Sequence, residues 1–234
     1  MAARDALISS PAYWRETLKL VGVWPTLGGA LAVAGGLALT APYGEVMGAY
    51  PMLRIVEIVV PLVVAWQATL LLTHETERPL ELLLTFPRPV AFVLADRLGV
   101  IVALSACMAL VANVATLTLP GAEALPLALA RWIAGTGFLT GMALFLTQGS
   151  RQSALGVTFV TLTSFGLLFG GEALRQRWPF TWPILLYLQP EAVPFWMYLI
   201  NRATLLLLGL GLIIWSLGLT RDEERVLALE GRSA

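Results

Sequence analysis

Long stretches of apolar residues, separated by short polar segments, dominate the sequence. An α-helix rises ~1.5 Å per residue and the hydrocarbon core of a bilayer is ~30 Å thick, so a membrane-spanning helix needs about 20 apolar residues. Six stretches come near this length or exceed it: residues 20–40, 53–72, 98–119, 127–147, 154–170 and 196–219. The pattern predicts an all-α integral membrane protein in which residues 1–234 form one transmembrane domain of six helices.

The composition requires lipid as a solvent for much of the chain. Hydrophobic residues make up 58% of it and charged residues 13%, and the mean hydropathy is +0.78. A soluble domain has roughly 45–50% apolar and about 25% charged residues. The formal net charge is zero, so there is no electrostatic argument for a nucleic-acid partner.

The basic residues are divided unevenly between the two sides that six spans define. Ten of the 15 fall on the side that holds both termini, and five fall at or near the other side. Because Lys and Arg favour cytoplasmic loops, both termini are expected in the cytoplasm, in a multi-pass protein of the cell membrane. Residues 73–96 would lie in the cytoplasm with them.

Three segments outside the spans have patterns of their own. Residues 1–19 are typical of an interfacial helix that leads into the first span. Residues 171–195 are predicted to form an outer loop, whose apolar core at 183–188 is too short to span the membrane. With its aromatic flanks, this core is expected to form a short helix at, or dipping into, the outer interface. Residues 220–234 carry mixed charges and predict a solvated helical tail in the cytoplasm.

Residues 73–96 combine acidic residues, a proline and a short leucine ridge. Pro79 suits the first position of a helix, where its missing N–H costs nothing. Glu77 and Glu81 would lie near the positive end of the helix dipole. The ridge on one helix face consists of Leu80, Leu83 and Leu84. Such an amphipathic helix either floats at the membrane surface or sits in a groove of a cytoplasmic partner.

This segment resembles the coupling region of type-2 ATP-binding-cassette (ABC) exporter permeases. Those proteins carry an acidic stretch and a Leu-Glu-x-Leu-Leu-x-x-Pro pattern between their second and third spans. Here residues 80–87 read Leu-Glu-Leu-Leu-Leu-Thr-Phe-Pro, although Arg78 and Pro79 replace the small residue or glycine that usually precedes the pattern. Six spans, cytoplasmic termini and the run 198–202 with the apolar residues that follow it also resemble the family.

The resemblance implies a permease subunit that forms the substrate pathway as a dimer with the same or a homologous chain. A separate cytoplasmic ATPase, in two copies, would bind ATP and Mg, and this chain would hold no cofactor. The implied coupling helix contains Glu75, Glu77, Arg78, Leu80, Glu81, Leu83 and Leu84. Its charged residues would contact the ATPase, and its leucine ridge would pack against the permease itself.

Four charged residues lie within or near the predicted spans. Arg54 and Glu57 are three residues apart, so they share a helix face and are expected to pair. Arg131 and Arg202 lie a turn or two inside spans four and six. Charge in a membrane is costly and marks functional sites, but all four lie near the outer boundary. Structural pairing is the favoured interpretation, and the lining of an outer vestibule is the alternative.

Glycines in the spans predict close contacts between helices. They occur as Gly28-Gly29 and Gly35-Gly36 in span one, as Gly99 in span three, and as Gly209 and Gly211 in span six.

No motif in the sequence predicts an enzyme. The sequence has no phosphate-binding Gly-rich loop, no Gly-x-Ser-x-Gly and no His-Glu-x-x-His. The alternatives to the exporter permease are the related haem-exporter permease of cytochrome c maturation and a non-transporting membrane scaffold or immunity protein. A polar face along the spans would favour transport over the scaffold. The polar residues of the spans are mostly Thr and Ser, which favours an amphipathic or lipid-like substrate.

Overall fold

The computed structural model describes residues 23–43, 48–71, 90–117, 119–150, 152–190 and 193–233. The described part of the chain is helical and has no strand. Its α-helices are α1 (Val23–Thr40), α2 (Tyr50–Leu71), α3 (Val90–Thr116), α4 (Leu125–Ser150), α5 (Ser153–Arg177) and α6 (Phe195–Ser233). Two short 3-10 helices cover Ala41–Tyr43 and Pro179–Ile184.

Consecutive helices run in opposite directions through the bundle. Gly29 of α1 faces Val63 and Gly36 faces Ile55, so α1 is antiparallel to α2. The backbone N–H of Ala49, just before α2, donates to the carbonyl of Pro120, just after α3, at 2.9 Å. Helices α2, α4 and α6 therefore begin at the same end of the bundle, which we call the arginine end because it holds Arg54, Arg131 and Arg202.

Helices α2 and α4 form the centre of the bundle. Of the apolar window of α2, 67% is buried, and the value is 56% for α4, whereas it is 22–28% for α3, α5 and α6. Large apolar side chains on these three outer helices are exposed, among them Val111 on α3, Phe169 on α5 and Leu207 on α6. Because water solvates such faces poorly, lipid or another apolar protein surface is expected to cover them.

Within the described residues, five helices are long and apolar enough to cross a membrane, namely α2, α4 and α5 in full, α3 from Ala91, and α6 as far as Leu219. The prediction of a helical multi-pass membrane protein is confirmed at this level. Helix α1 is apolar but has 18 residues, and residues 20–22 of the predicted first span lie outside the described residues. The sixth span stays a prediction.

Two segments that were predicted to be parts of loops are helical in the structure. Residues 90–96 were assigned to the cytoplasmic loop, but α3 begins at Val90, directly after Pro89, since no later residue breaks the helix. Residues 171–177 were assigned to the outer loop, but α5 continues to Arg177. There Glu172 accepts hydrogen bonds from Arg175 and Gln176, and pairs three or four residues apart stabilise a helical turn.

The short helix predicted over residues 183–188 was also misplaced. The structure has a 3-10 helix at Pro179–Ile184, with proline in its first turn. Residues 185–188 are buried but not helical. Side chains of α6 donate hydrogen bonds to the carbonyls of Leu185, Leu186 and Leu188. Arg54 of α2 donates to the carbonyl of Tyr187, so a regular helix is not needed to satisfy these groups.

Some predictions fall on residues that the structure does not describe. The interfacial helix at 1–19 is one of them. The other is the coupling segment, with Glu75, Glu77, Arg78, Leu80, Glu81, Leu83 and Leu84, which lies outside the described residues. The predicted tail is helical from residue 220 through Ser233, as a continuation of α6.

Candidate functional site

The four charged residues singled out in the sequence meet at the arginine end of the bundle. Glu57 is at the centre, and each of its carboxylate oxygens is engaged. Nη1 of Arg54 lies 2.7 Å from Oε2, and Nη2 of Arg202 lies 3.0 Å from Oε1. Nη1 of Arg131 lies 3.8 Å from Oε2. The predicted Arg54–Glu57 pair is therefore present, and two further helices join it.

A second carboxylate, which the sequence did not single out, completes this arginine–glutamate cluster. Glu123 lies in the turn before α4 and accepts a hydrogen bond from Nε of Arg131 at 2.7 Å, with a second contact from Nη2 to Oε1. The signal available in the sequence was that Glu123 is the one acidic residue of 120–126, the short segment between the third and fourth predicted spans. Glu123 stands eight positions before Arg131 but outside α4, which begins at Leu125. The helical repeat therefore did not predict this pair, and the turn brings the two side chains together. Three guanidinium groups thus share two carboxylates, and the cluster carries one net positive charge.

Most of the cluster is removed from solvent. The side chains of Glu57 and Arg131 are each 1% exposed, Arg202 is 5% exposed and Arg54 is 19% exposed. Burying an unpaired charge costs several kcal/mol, about 3–5 when one partner of a buried pair is lost. These charged side chains can therefore be buried only because each of them is paired with a charge of opposite sign.

Three tyrosine rings lie beside the guanidinium groups. The Cζ atom of Arg202 is 4.7 Å from the ring centre of Tyr198, that of Arg54 is 5.2 Å from Tyr187, and that of Arg131 is 5.8 Å from Tyr50. A guanidinium within about 6 Å of a ring is attracted by the electron-rich face. The rings thus add favourable contacts where water is excluded.

Two consecutive residues of α6 fasten the irregular segment that precedes that helix. Nδ2 of Asn201 donates to the carbonyls of Trp182 and Leu185 at 2.8 and 3.0 Å. Arg202 donates to the carbonyls of Leu186 and Leu188 at 2.8 and 2.9 Å. Non-helical backbone is tolerated at membrane depth only where protein groups satisfy it. Asn201 and Arg202 supply those groups here.

Tyr187 links the same segment to α5. Its hydroxyl forms a hydrogen bond with the hydroxyl of Ser164. Burial is the main cause that raises the pKa of Tyr187 to about 12. The phenol is therefore neutral at physiological pH and acts as a hydrogen-bonding group, not as a charge.

A cleft of about 300 Å³ opens beside the cluster, between α5 and residues 185–189. Arg54 is the member of the cluster that lines it, together with Leu167, Leu168, Arg175, Tyr187 and Gln189. Arg131, Arg202 and Glu57 are instead enclosed between helices. The geometry thus shows pairing for all four predicted residues, and an open cavity at Arg54.

Close packing of α4 on α6 holds two of the cluster's helices together. A methyl group added at Gly141 would overlap the carbonyl of Gly209, and one added at Gly209 would overlap the backbone of Gly137. Gly209 was predicted to make such a contact, but the Gly137-x-x-x-Gly141 pair on α4 was not singled out. Gly29 and Gly36 pack on α2, as predicted, whereas Gly28, Gly35, Gly99 and Gly211 have nothing within 4 Å of the added atom.

The hydroxyl residues of the spans, as far as the structure describes them, do not form one exposed polar face. Ser105, Thr116 and Ser164 are buried inside the chain, and Thr158 is exposed. The faces that α3, α5 and α6 present outward are mainly apolar. Any molecule that moved along these outer faces would contact mainly apolar side chains.

Comparisons of the chain with protein-family models, with curated proteins and with solved structures gave no match.

Proposed function

We propose that this chain is the permease subunit of an ABC exporter, working as a dimer and driven by a separate cytoplasmic ATPase. The observation that carries the proposal is the acidic, leucine-ridged pattern that ends at Pro87. It joins the end of α2 to the start of α3, at the end of the bundle opposite to Arg54. A partner that bound there would act directly on two membrane-spanning helices.

The proposed topology has six spans and cytoplasmic termini. Helix α1, extended by residues 20–22, is the additional span. The distribution of basic residues then assigns the arginine end to the outside of the cell membrane. The coupling segment at 73–89 faces the cytoplasm, where the ATPase and its ATP and Mg would be.

The packing of the bundle suggests how force would pass through it. Helices α2, α4 and α6 are joined by the contacts of Glu57 at one end and by the backbone contact of Gly141 with Gly209 further along. These helices would move as one body when the ATPase pair closes and pushes the coupling helix. Helices α1 and α3 would adjust around it, and the spans would rock between inward- and outward-open states.

The substrate that best fits these surfaces is amphipathic or lipid-like. Large apolar side chains such as Leu162, Leu207 and Ile214 cover the outer helices. A pathway along the seam between two such chains would favour a molecule with a substantial apolar part, because hydrocarbon walls do not replace the hydration of a polar solute.

Affinity co-purification of the tagged chain from its native membrane tests the proposal. Glu77→Arg/Glu81→Arg reverses the two acidic charges of the proposed coupling helix. Asp222→Arg/Glu223→Arg is the matched control, because it makes the same charge change in the tail on the same proposed side. An ATPase, identified by mass spectrometry and by ATP hydrolysis, is expected with the native chain and the control. It should be lost from the coupling variant.

A non-transporting membrane scaffold is the second candidate, and one observation favours it. The hydroxyl side chains that could line a polar pathway are partly withdrawn into the chain, as at Ser105 and Thr116. If neither the native chain nor the control brings down an ATPase while both are well folded in detergent, the exporter proposal is wrong. The scaffold would then be the better explanation.

A further inference from the structure

The cleft beside Arg54 combines a charged wall with an apolar floor. Arg54 comes from the first turns of α2, Arg175 comes from the last turn of α5, and Tyr187 and Gln189 come from the segment before α6. Leu167 and Leu168 of α5 supply the apolar part. With about 300 Å³ of space, the cleft is in the size range of sites for small polar groups.

The charge of the surroundings favours an anion in this cleft. Among the described residues, the polar contacts of Arg54 are both made by Nη1, to Glu57 at 2.7 Å and to the carbonyl of Tyr187 at 3.4 Å. Arg175 is paired with Glu172, and that pair is neutral. The surplus positive charge of the arginine–glutamate cluster is therefore accessible at Arg54, whose planar guanidinium suits a phosphate.

An apolar stripe continues from the rim of the cleft along the outside of α5. Glu172, on the rim, lies one turn beyond Phe169 and two turns beyond Phe165 on the same helix face. The two rings stack with their centres 6.2 Å apart, and both side chains are exposed. A molecule whose charged group entered the cleft could thus lay a hydrocarbon chain on these rings.

We propose that the Arg54 cleft binds the phosphate headgroup of an anionic phospholipid from the leaflet at the arginine end. The guanidinium of Arg54 holds the phosphate, Gln189 and Arg175 border the headgroup, and an acyl chain follows Phe169 and Phe165. A free phosphate would use only the first of these contacts. A zwitterionic lipid would bring its own cation against Arg54. The cleft therefore selects for an anionic lipid.

Native mass spectrometry of the full chain in detergent tests this site without reference to any ATPase, so its outcome is separate from that of the co-purification. The probes are phosphatidylglycerol, phosphatidylcholine with the same acyl chains, and inorganic phosphate. Phosphatidylglycerol is expected to bind about tenfold more tightly than phosphatidylcholine, because the choline cation of phosphatidylcholine is repelled by Arg54 while both lipids offer it the same phosphate. Inorganic phosphate should not displace it.

Three variants locate the binding site. Arg54→Gln and Arg175→Gln each remove a positive charge from the cleft, and Gly171→Leu fills it without changing charge, since Gly171 lines the same space. Arg177→Gln is the matched control, because Arg177 is near Arg175 in sequence but does not line the cleft. Each of these three variants should weaken phosphatidylglycerol binding, Arg54→Gln and Gly171→Leu by about tenfold, and Arg177→Gln should leave it unchanged.

The proposal fails if the native chain binds both lipids equally, or if inorganic phosphate displaces phosphatidylglycerol at similar concentrations. It also fails if the folded cleft variants keep full binding, or if Arg177→Gln loses as much as they do. Thermal unfolding in detergent identifies which variants are folded. If Arg54→Gln is not folded, Gly171→Leu and Arg175→Gln test whether the lipid binds in the cleft. The lipid selectivity of the native chain tests whether the site prefers an anionic headgroup.

Discussion

Glu57 accepts contacts from arginines of three helices. Arg54 belongs to its own helix, whereas Arg131 and Arg202 come from α4 and α6. Its side chain is 1% exposed, so any change that removes its charge leaves guanidinium groups buried with fewer partners. At the scale of single residues, this carboxylate has the largest expected effect on stability among the charges that the structure describes.

We expect Glu57→Gln to lower the free energy of unfolding by about 3–5 kcal/mol, because breaking a buried pair strands the remaining charge. Glu172→Gln is the control. It removes the same charge from an ion pair whose glutamate side chain is 58% exposed, and exposed pairs contribute ~0–1 kcal/mol. Denaturant titration of both variants in detergent measures the difference. Equal stabilities would mean that the cluster does not hold the helices together.

At the scale of elements, two features fix the surroundings of α6. One is the irregular segment before α6, whose carbonyls are satisfied by Asn201 and Arg202. The other is the close approach of α4 to α6 at Gly141 and Gly209. Small residues allow this approach, and close packing of the backbones is a main source of helix association in lipid.

Gly209→Ala should destabilise the protein by about 1–3 kcal/mol, because the added methyl overlaps the backbone of α4 and forces the helices apart. Gly211→Ala, two residues later on the same helix, meets nothing within 4 Å. It should be neutral or stabilising by up to ~1 kcal/mol, since alanine is the better helix former. Thermal unfolding in detergent measures both changes. A loss of the same size at both positions would contradict the role given to the Gly141–Gly209 contact.

At the scale of the whole molecule, the bundle has two chemically different ends. The arginine end holds the charged cluster and the fastened segment before α6. The opposite end holds the turn between α4 and α5 and the two helix ends that the coupling segment connects. If the chain is an exporter permease, the arginine end is the one from which substrate leaves, and the opposite end receives force from the ATPase.

Accessibility of single cysteines tests the orientation of the two ends. In a Cys107→Ser background, Ala122→Cys and Gln152→Cys place a thiol on exposed residues just before and just after α4. Helix α4 has 26 residues, and so is ~39 Å long. A membrane-impermeant maleimide applied to intact cells should label Ala122→Cys and not Gln152→Cys. The reverse result would overturn the proposed cytoplasmic position of the termini.

One contact of the candidate site could be anticipated from local spacing, and the others could not. The pairing of Arg54 with Glu57 follows from three residues on one helix, where geometry is fixed by the helical repeat. The contacts of Arg131 and Arg202 with Glu57 join residues far apart in sequence. Glu123 reaches Arg131 only through a turn, and Asn201 meets Trp182 only because the intervening chain doubles back.

The sequence by itself determined that the chain is a helical membrane protein and, closely, where most of its spans lie. That information is local, because the length and polarity of each stretch decide whether lipid can solvate it. The tertiary structure decided which charges share Glu57, which glycines touch, and where a cleft opens. Those outcomes depend on how helices pack across the bundle, and packing is set by side chains that no local pattern brings together.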